Sequence, residues 1–169
     1  MANGRQDEIG NTVNQPTQAA ARSRYNTIHV LRRPPMDLFI SYTHTDRPIA
    51  AAIAGEFAKL AIEVWWDHDL MAGEDYRRRI TEILAHTSAV IVLWSRRSIA
   101  SQWVLAEATT ASERRALVPL SMDGERPPID FRSLHTIQLD GWCPGDPLPQ
   151  EVVRAVAGLL GRSLSYSTQ

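Results

Sequence analysis

The chain has 169 residues, with 18 Lys+Arg against 19 Asp+Glu for a formal charge of −1, so no bulk field draws it to nucleic acid or to an anionic membrane. At 44% apolar and 22% charged, it has the composition of a soluble globular domain with room for tails. Its longest apolar runs (49–55 and 89–94) are far too short for a bilayer span, its start is polar, and Cys143 alone excludes an internal disulfide or thiolate metal cluster; the expected address is cytoplasmic.

Residues 1–35 differ in composition from the rest of the chain. They are rich in Asn, Gln, Thr, Ser and Arg, and five arginines against Asp7 and Glu8 leave this stretch at +3. It holds too little apolar surface to offset its ordering entropy and reads as a flexible N-terminal leader ending at Pro34-Pro35, with a partner-binding basic arm as the alternative. From Met36, short apolar runs alternate with helical periodicity. Residues 36–42 read as a buried strand. Thr45-Asp46 with Pro48 starts a helix whose apolar stripe is Ile49, Ile53, Phe57 and Leu60. Residues 62–66 read as the second strand. A loop through Asp67, His68, Asp69 and Gly73 leads to a helix with Tyr76, Ile80, Ile83 and Leu84 on one face. Residues 89–94 are the third and most hydrophobic strand. Next come a Ser/Arg loop, a helix over about 101–115, a strand over 117–122, a long loop over 123–133 and a short strand over 136–139. Asp146-Pro147 opens the last helix, which packs Val152, Val153, Val156, Leu159 and Leu160 inward and ends at Gly161. The folded domain therefore spans 36–162, with a C-terminal tail at 163–169.

Five strands alternating with helices predict an α/β, flavodoxin-like fold. The parallel sheet has the order 2-1-3-4-5 and helices on both faces. The fourth crossover is the exception, reading as loop or one short turn. Ligands in such sheets bind at the carboxyl ends of the strands, beside the switch between strands one and three. Attention falls on Ser41-Tyr42-Thr43-His44 and on 95–102. A phosphorelay receiver would need acidic residues after strand one and an Asp ending strand three; this chain has Ser-Tyr and Trp-Ser there. Gly-x-Gly-x-x-Gly, a phosphate-cradling Gly-Lys loop and a Gly-x-Ser-x-Gly elbow are all missing, which removes the usual support for dinucleotide redox, NTP hydrolysis and serine esterase chemistry.

Ser98, Ser101, Trp103 and Glu107 remain. Trp103 and Glu107 are four apart and share one helix face at the start of the third crossover. A large π surface beside a carboxylate suits a flat base on a hydroxylated sugar: the ring stacks, and the carboxylate steadies positive charge at the anomeric carbon. Spacing alone favours the bland reading, a core Trp103 and a solvated Glu107. Elsewhere the bland reading is preferred. Asp67-His68-Asp69 reads as a solvated turn rather than a metal site. His44 sits in the site loop, where it touches a phosphate or is simply exposed. Arg77-Arg78-Arg79 and Arg96-Arg97 read as solvated faces, with Arg96 or Arg97 able to pair with a pyrophosphate. Trp65, Tyr76 and Trp94 read as core or subunit interface, and Cys143 has no assigned role.

Residues 36–46, MDLFISYTHTD, resemble the first box of Toll/interleukin-1 receptor (TIR) domains. Residues 64–74, VWWDHDLMAGE, are similar to the second box and the loop after strand two. Residues 94–107, WSRRSIASQWVLAE, look like the bacterial Ser-x-x-Ser-x-Trp-x-x-x-Glu segment. Ala72-Gly73 stands where Pro-Gly is common in animal adaptors. The resemblance implies cleavage of NAD⁺ at the nicotinamide–ribose bond, giving ADP-ribose or a cyclic ADP-ribose, with NAD⁺ as substrate and no cofactor or metal. It makes Glu107 the catalytic glutamate. Trp103, Ser41, Tyr42 and Asp46 line the substrate, and Trp66 and Asp67 open a loop that shapes the cleft through a neighbouring subunit. His44 and Ser98 complete the candidate substrate-binding set. It also implies activation by self-association or by a sensor protein, in bacterial anti-phage immunity. A non-catalytic TIR–TIR adaptor, including a host-mimicking virulence factor, is the alternative, and a nucleotide receptor without turnover is a third.

Overall fold

Pleating sorts the apolar side chains of the strands onto two faces of one sheet, and each face recruits its own pair of helices. The computed structural model describes residues 36–66 and 74–166, with backbone only at 74–76. The leader at 1–35, the loop at 67–73 with Asp67, and residues 167–169 lie outside them. The strands are β1 (Leu38–Ser41), β2 (Val64–Trp65), β3 (Ala89–Trp94), β4 (Leu117–Ser121) and β5 (Ile137–Gln138). All pair in parallel in the order β2-β1-β3-β4-β5, as the alternation of elements predicts. The helices are α1 (Arg47–Lys59), α2 (Glu74–His86), α3 (Gln102–Glu113) and α4 (Gln150–Leu160).

Leu38 and Ile40 of β1 join Ala89, Ile91 and Leu93 of β3 on one face, packed against Ile53 and Phe57 of α1 and Val152 and Val156 of α4. Phe39 and Val90 point the other way, onto Ile80, Ile83 and Leu84 of α2. Val92 and Trp94 continue that second face beneath Val104 and Ala108 of α3. All six β3 residues are buried, which is why this strand reads as an unbroken apolar run and not as an alternation. Trp65 stacks on Phe39 with centroids 5.2 Å apart. The fourth crossover carries one 3₁₀ turn, Ile129–Phe131. Phe131 packs against Trp94 at 5.2 Å between centroids, filling the space a helix would otherwise cover.

Several strands and helices are a residue or two shorter than the sequence reading, and two of the boundary differences have a local cause. The second strand begins at Val64 because Ile62 N–H donates to Phe57 O, closing the end of α1, where Ala61 takes φ +56°. The last helix begins at Gln150, not at Asp146-Pro147. A residue before proline is pushed out of the helical region, so Leu148, before Pro149, blocks a helix starting at Pro147, and the first helical residue follows the second proline. Asp146 instead holds a turn, its Oδ2 accepting from Cys143 N–H at 3.1 Å. Past α4, Gly161 at φ +64° caps the helix, and Leu164 and Tyr166 pack back on the α1/α4 side.

Candidate functional site

Ser41 ends β1 on the same side of the pleat as Phe39, the side covered by α2 and α3, so its hydroxyl faces α3. Ser101 starts α3 by accepting from Val104 N–H at 3.4 Å. Six residues on, Glu107 faces inward toward the end of β1. Ser41 Oγ donates to Glu107 Oε2 at 2.5 Å. The carboxylate is 4% exposed, and its other oxygen, Oε1, is buried without a hydrogen-bond partner among the described residues. Burial pushes the Glu107 pKa up from 4.5 to about 7, opposed by the hydrogen bonds from Ser41 and Trp103. Trp103, one turn earlier, is 37% exposed, and the Arg77 guanidinium of α2 lies over its ring, 5.8 Å from the centroid.

Beside this pair a second buried group clasps the two loops at the switch point. Asp46 Oδ2 accepts from Thr43 Oγ1 at 2.5 Å and from Ser95 Oγ at 2.7 Å. Ser95 N–H in turn donates to Ser98 Oγ at 2.7 Å, and Ser98 N–H to Ser95 Oγ at 3.2 Å. The clasp joins the turn after β1 to the turn after β3, so the two sides of the switch are held by side chains as well as by the ladder.

A family model for the TIR domain matches residues 38–157. The chain belongs to that family. Solved structures repeat its fold. A TIR-STING receptor from C. gigas in complex with 2',3'-cGAMP gives a TM-score of 0.61 at 24% identity over 75% of this chain and 41% of that one. A Toll-related receptor TIR domain from Hydra magnipapillata gives 0.59 at 15% identity over 72% and 98%. The TIR domains of the activated Roq1 resistosome give 0.50 at 14% identity over 75% and 98%. At these identities the likeness is one of fold, and this chain spans 41% of the length of the TIR-STING receptor. No curated protein matches the sequence. No helix of the described residues is long and apolar enough to cross a membrane.

Within this TIR domain the sequence-predicted residues fall into three groups. Ser41, Trp103 and Glu107 converge on the α2/α3 face. Asp46 and Ser98 are buried in the clasp and spend their oxygens on Ser95 and on Thr43. Tyr42 and Trp66 pack into the α1/α4 cluster, on the opposite face of the sheet from Glu107. His44 is exposed in the 3₁₀ turn before α1, and Asp67 lies outside the described residues. Sequence reasoning includes Ser95 only within the 95–102 segment, with no role of its own, and reads Arg77 as part of a solvated face. Ser95 has a usable signal as the first residue past the central strand. Arg77 has none, because only the fold lays α2 against the first turn of α3. Arg96 is committed elsewhere: its Nε pairs with Glu125 Oε1 at 3.2 Å and its N–H donates to Asp123 Oδ2.

Proposed function

We propose that this TIR domain is an NAD⁺ glycohydrolase that acts as a self-associated assembly. One observation carries the reading: a buried carboxylate at the carboxyl edge of the central strands, held through Oε2 by Ser41, with Oε1 unspent and an indole one turn away. A carboxylate with a pKa of about 7 is half ionised at neutral pH, and a cationic nicotinamide ring beside it favours the ionised form. Cleavage sends the C1′–N1 bond pair to the base, which leaves as neutral nicotinamide while positive charge appears on the ribose. Ionised Oε1 stabilises that charge in a site from which water is largely excluded, where electrostatic stabilisation is strong. Water then adds to C1′ and releases a proton, giving ADP-ribose; attack by an adenine nitrogen of the same molecule gives the cyclic product.

Family resemblance supports self-association, triggering by a sensor and a setting in bacterial immunity, and the Roq1 resistosome is by its name an assembly of TIR-bearing chains. Nicotinamide release by concentrated wild-type protein and by Glu107→Ala tests the reading, with products identified by mass. Turnover lost in the variant supports it. Silence of wild-type protein even when forcibly clustered overturns it in favour of a TIR–TIR adaptor, and tight nucleotide binding without product favours a receptor.

A further inference from the structure

The described structure buries two carboxyl groups at the switch point, Glu107 and Asp46, and no basic side chain. A nucleotide entering there brings phosphate charge of the same sign, so the site needs a cation that the reaction itself does not use. The Arg96 guanidinium already pairs with Glu125. Arg77 is differently placed. It is exposed, its guanidinium lies over the Trp103 ring, and among the described residues no carboxylate pairs with it. Trp103 is one helical turn from Glu107, so the cation stands over the same ring that borders the carboxylate. A cation–π contact restrains the guanidinium without occupying its N–H donors, which lie at the edge of the plane. A planar fork of donors in that state matches the paired oxygens of a phosphate.

We propose that Arg77 is the phosphate-recognition residue of this site, binding the diphosphate and making the substrate class a nicotinamide dinucleotide rather than the nucleoside. The proposal rests on the NAD⁺ glycohydrolase reading for its substrate and on the Arg77–Trp103 geometry for its residue.

The test compares kcat/KM for NAD⁺ with that for nicotinamide riboside, which keeps the scissile bond and lacks both phosphates. In Arg77→Gln the ratio of the two falls about tenfold, the order expected for one charge-assisted pair; Arg77→Lys, which keeps the charge and loses the fork, falls between. Equilibrium binding of ADP-ribose, measured by calorimetry, gives the same ranking without turnover. Turnover with an unmoved ratio overturns the role of Arg77 and leaves the enzyme reading standing. No turnover, with ADP-ribose binding weakened in Arg77→Gln, overturns the enzyme reading and keeps Arg77 as the anion site of a receptor. Without turnover, ADP-ribose binding that is absent or indifferent to Arg77 overturns both.

Discussion

Ser41 and Glu107 lie 66 positions apart in sequence and share one hydrogen bond of 2.5 Å. That bond ties the end of the first strand to the helix after the third, across the line where the strand order reverses. It also orients the carboxylate, holding Oε2 and leaving Oε1 unspent.

Removing it should therefore show in a pH profile. The Ser41 hydroxyl bonds the ionised carboxylate and holds its pKa down against burial, so Ser41→Ala raises the pKa further and shrinks the ionised fraction at neutral pH. A buried hydrogen bond to a charged group contributes about 1.5–3 kcal/mol. Nicotinamide release at pH 7 should fall about tenfold or more, with part of the loss recovered at pH 8.5. A uniform loss at every pH would mean that Ser41 acts on shape alone.

The same carboxylate costs stability at high pH. Its folded pKa of about 7 stands above the unfolded value of 4.5, so the folded state holds the proton more tightly. Stability from this group is then highest below about 4.5 and declines as pH rises through about 7. At about 1.4 kcal/mol per unit the full penalty has an upper bound of about 3.5 kcal/mol. Glu107→Gln should thus melt several degrees above wild type at pH 8 and show little gain at pH 4.5. Calorimetric or fluorescence melts across this range check it, and a variant less stable than wild type at pH 8 would contradict it.

The strand order and the buried central strand are legible in the sequence, from the alternation of elements and an unbroken apolar run; the four-residue step puts Trp103 and Glu107 on one helix face but leaves the burial of Glu107 open. The surroundings of Asp46, Ser98 and Tyr42 are not, because local pattern does not say which distant group each one meets. Whether an Asp after the first strand meets a ligand or Ser95 depends on a contact 49 residues away. Tyr42 is the next residue after Ser41, and the pleat carries it to the opposite face. The start of α4 is readable in principle, since Pro149 pushes Leu148 out of the helical region and so blocks an earlier one.

The clasp has its own consequence. Asp46 is buried and its Oδ2 receives two hydroxyl donors. Asp46→Ala removes the acceptor of both hydroxyls, of which Thr43 has Thr45 Oγ1 at 3.1 Å as a substitute, and should cost about 2 kcal/mol in urea unfolding. Asp46→Asn keeps a carbonyl acceptor and should lose about half as much. If Asp46 instead serves mainly to hold substrate, stability stays near wild type while KM rises.

The far end of the sheet carries a tie that involves no site residue. Arg162, just past α4, donates through Nη2 to Asp37 Oδ2 at 2.6 Å, and the same oxygen accepts from Glu63 N–H at 3.2 Å. Asp37 is buried while the Arg162 side chain is 32% exposed. Losing one partner of a partly buried pair leaves the other charge poorly solvated. Each of Asp37→Ala and Arg162→Ala should destabilise by about 2 kcal/mol, scaled below the fully buried range because Arg162 still meets water. The double variant should lose clearly less than the two single losses together, since the second truncation removes the orphan that the first creates. Strict additivity in urea titrations would show that the pair contributes nothing to holding residues 162–166 against the domain. Tyr166 then becomes the anchor to examine, through the bond its hydroxyl accepts from Leu148 N–H at 3.0 Å.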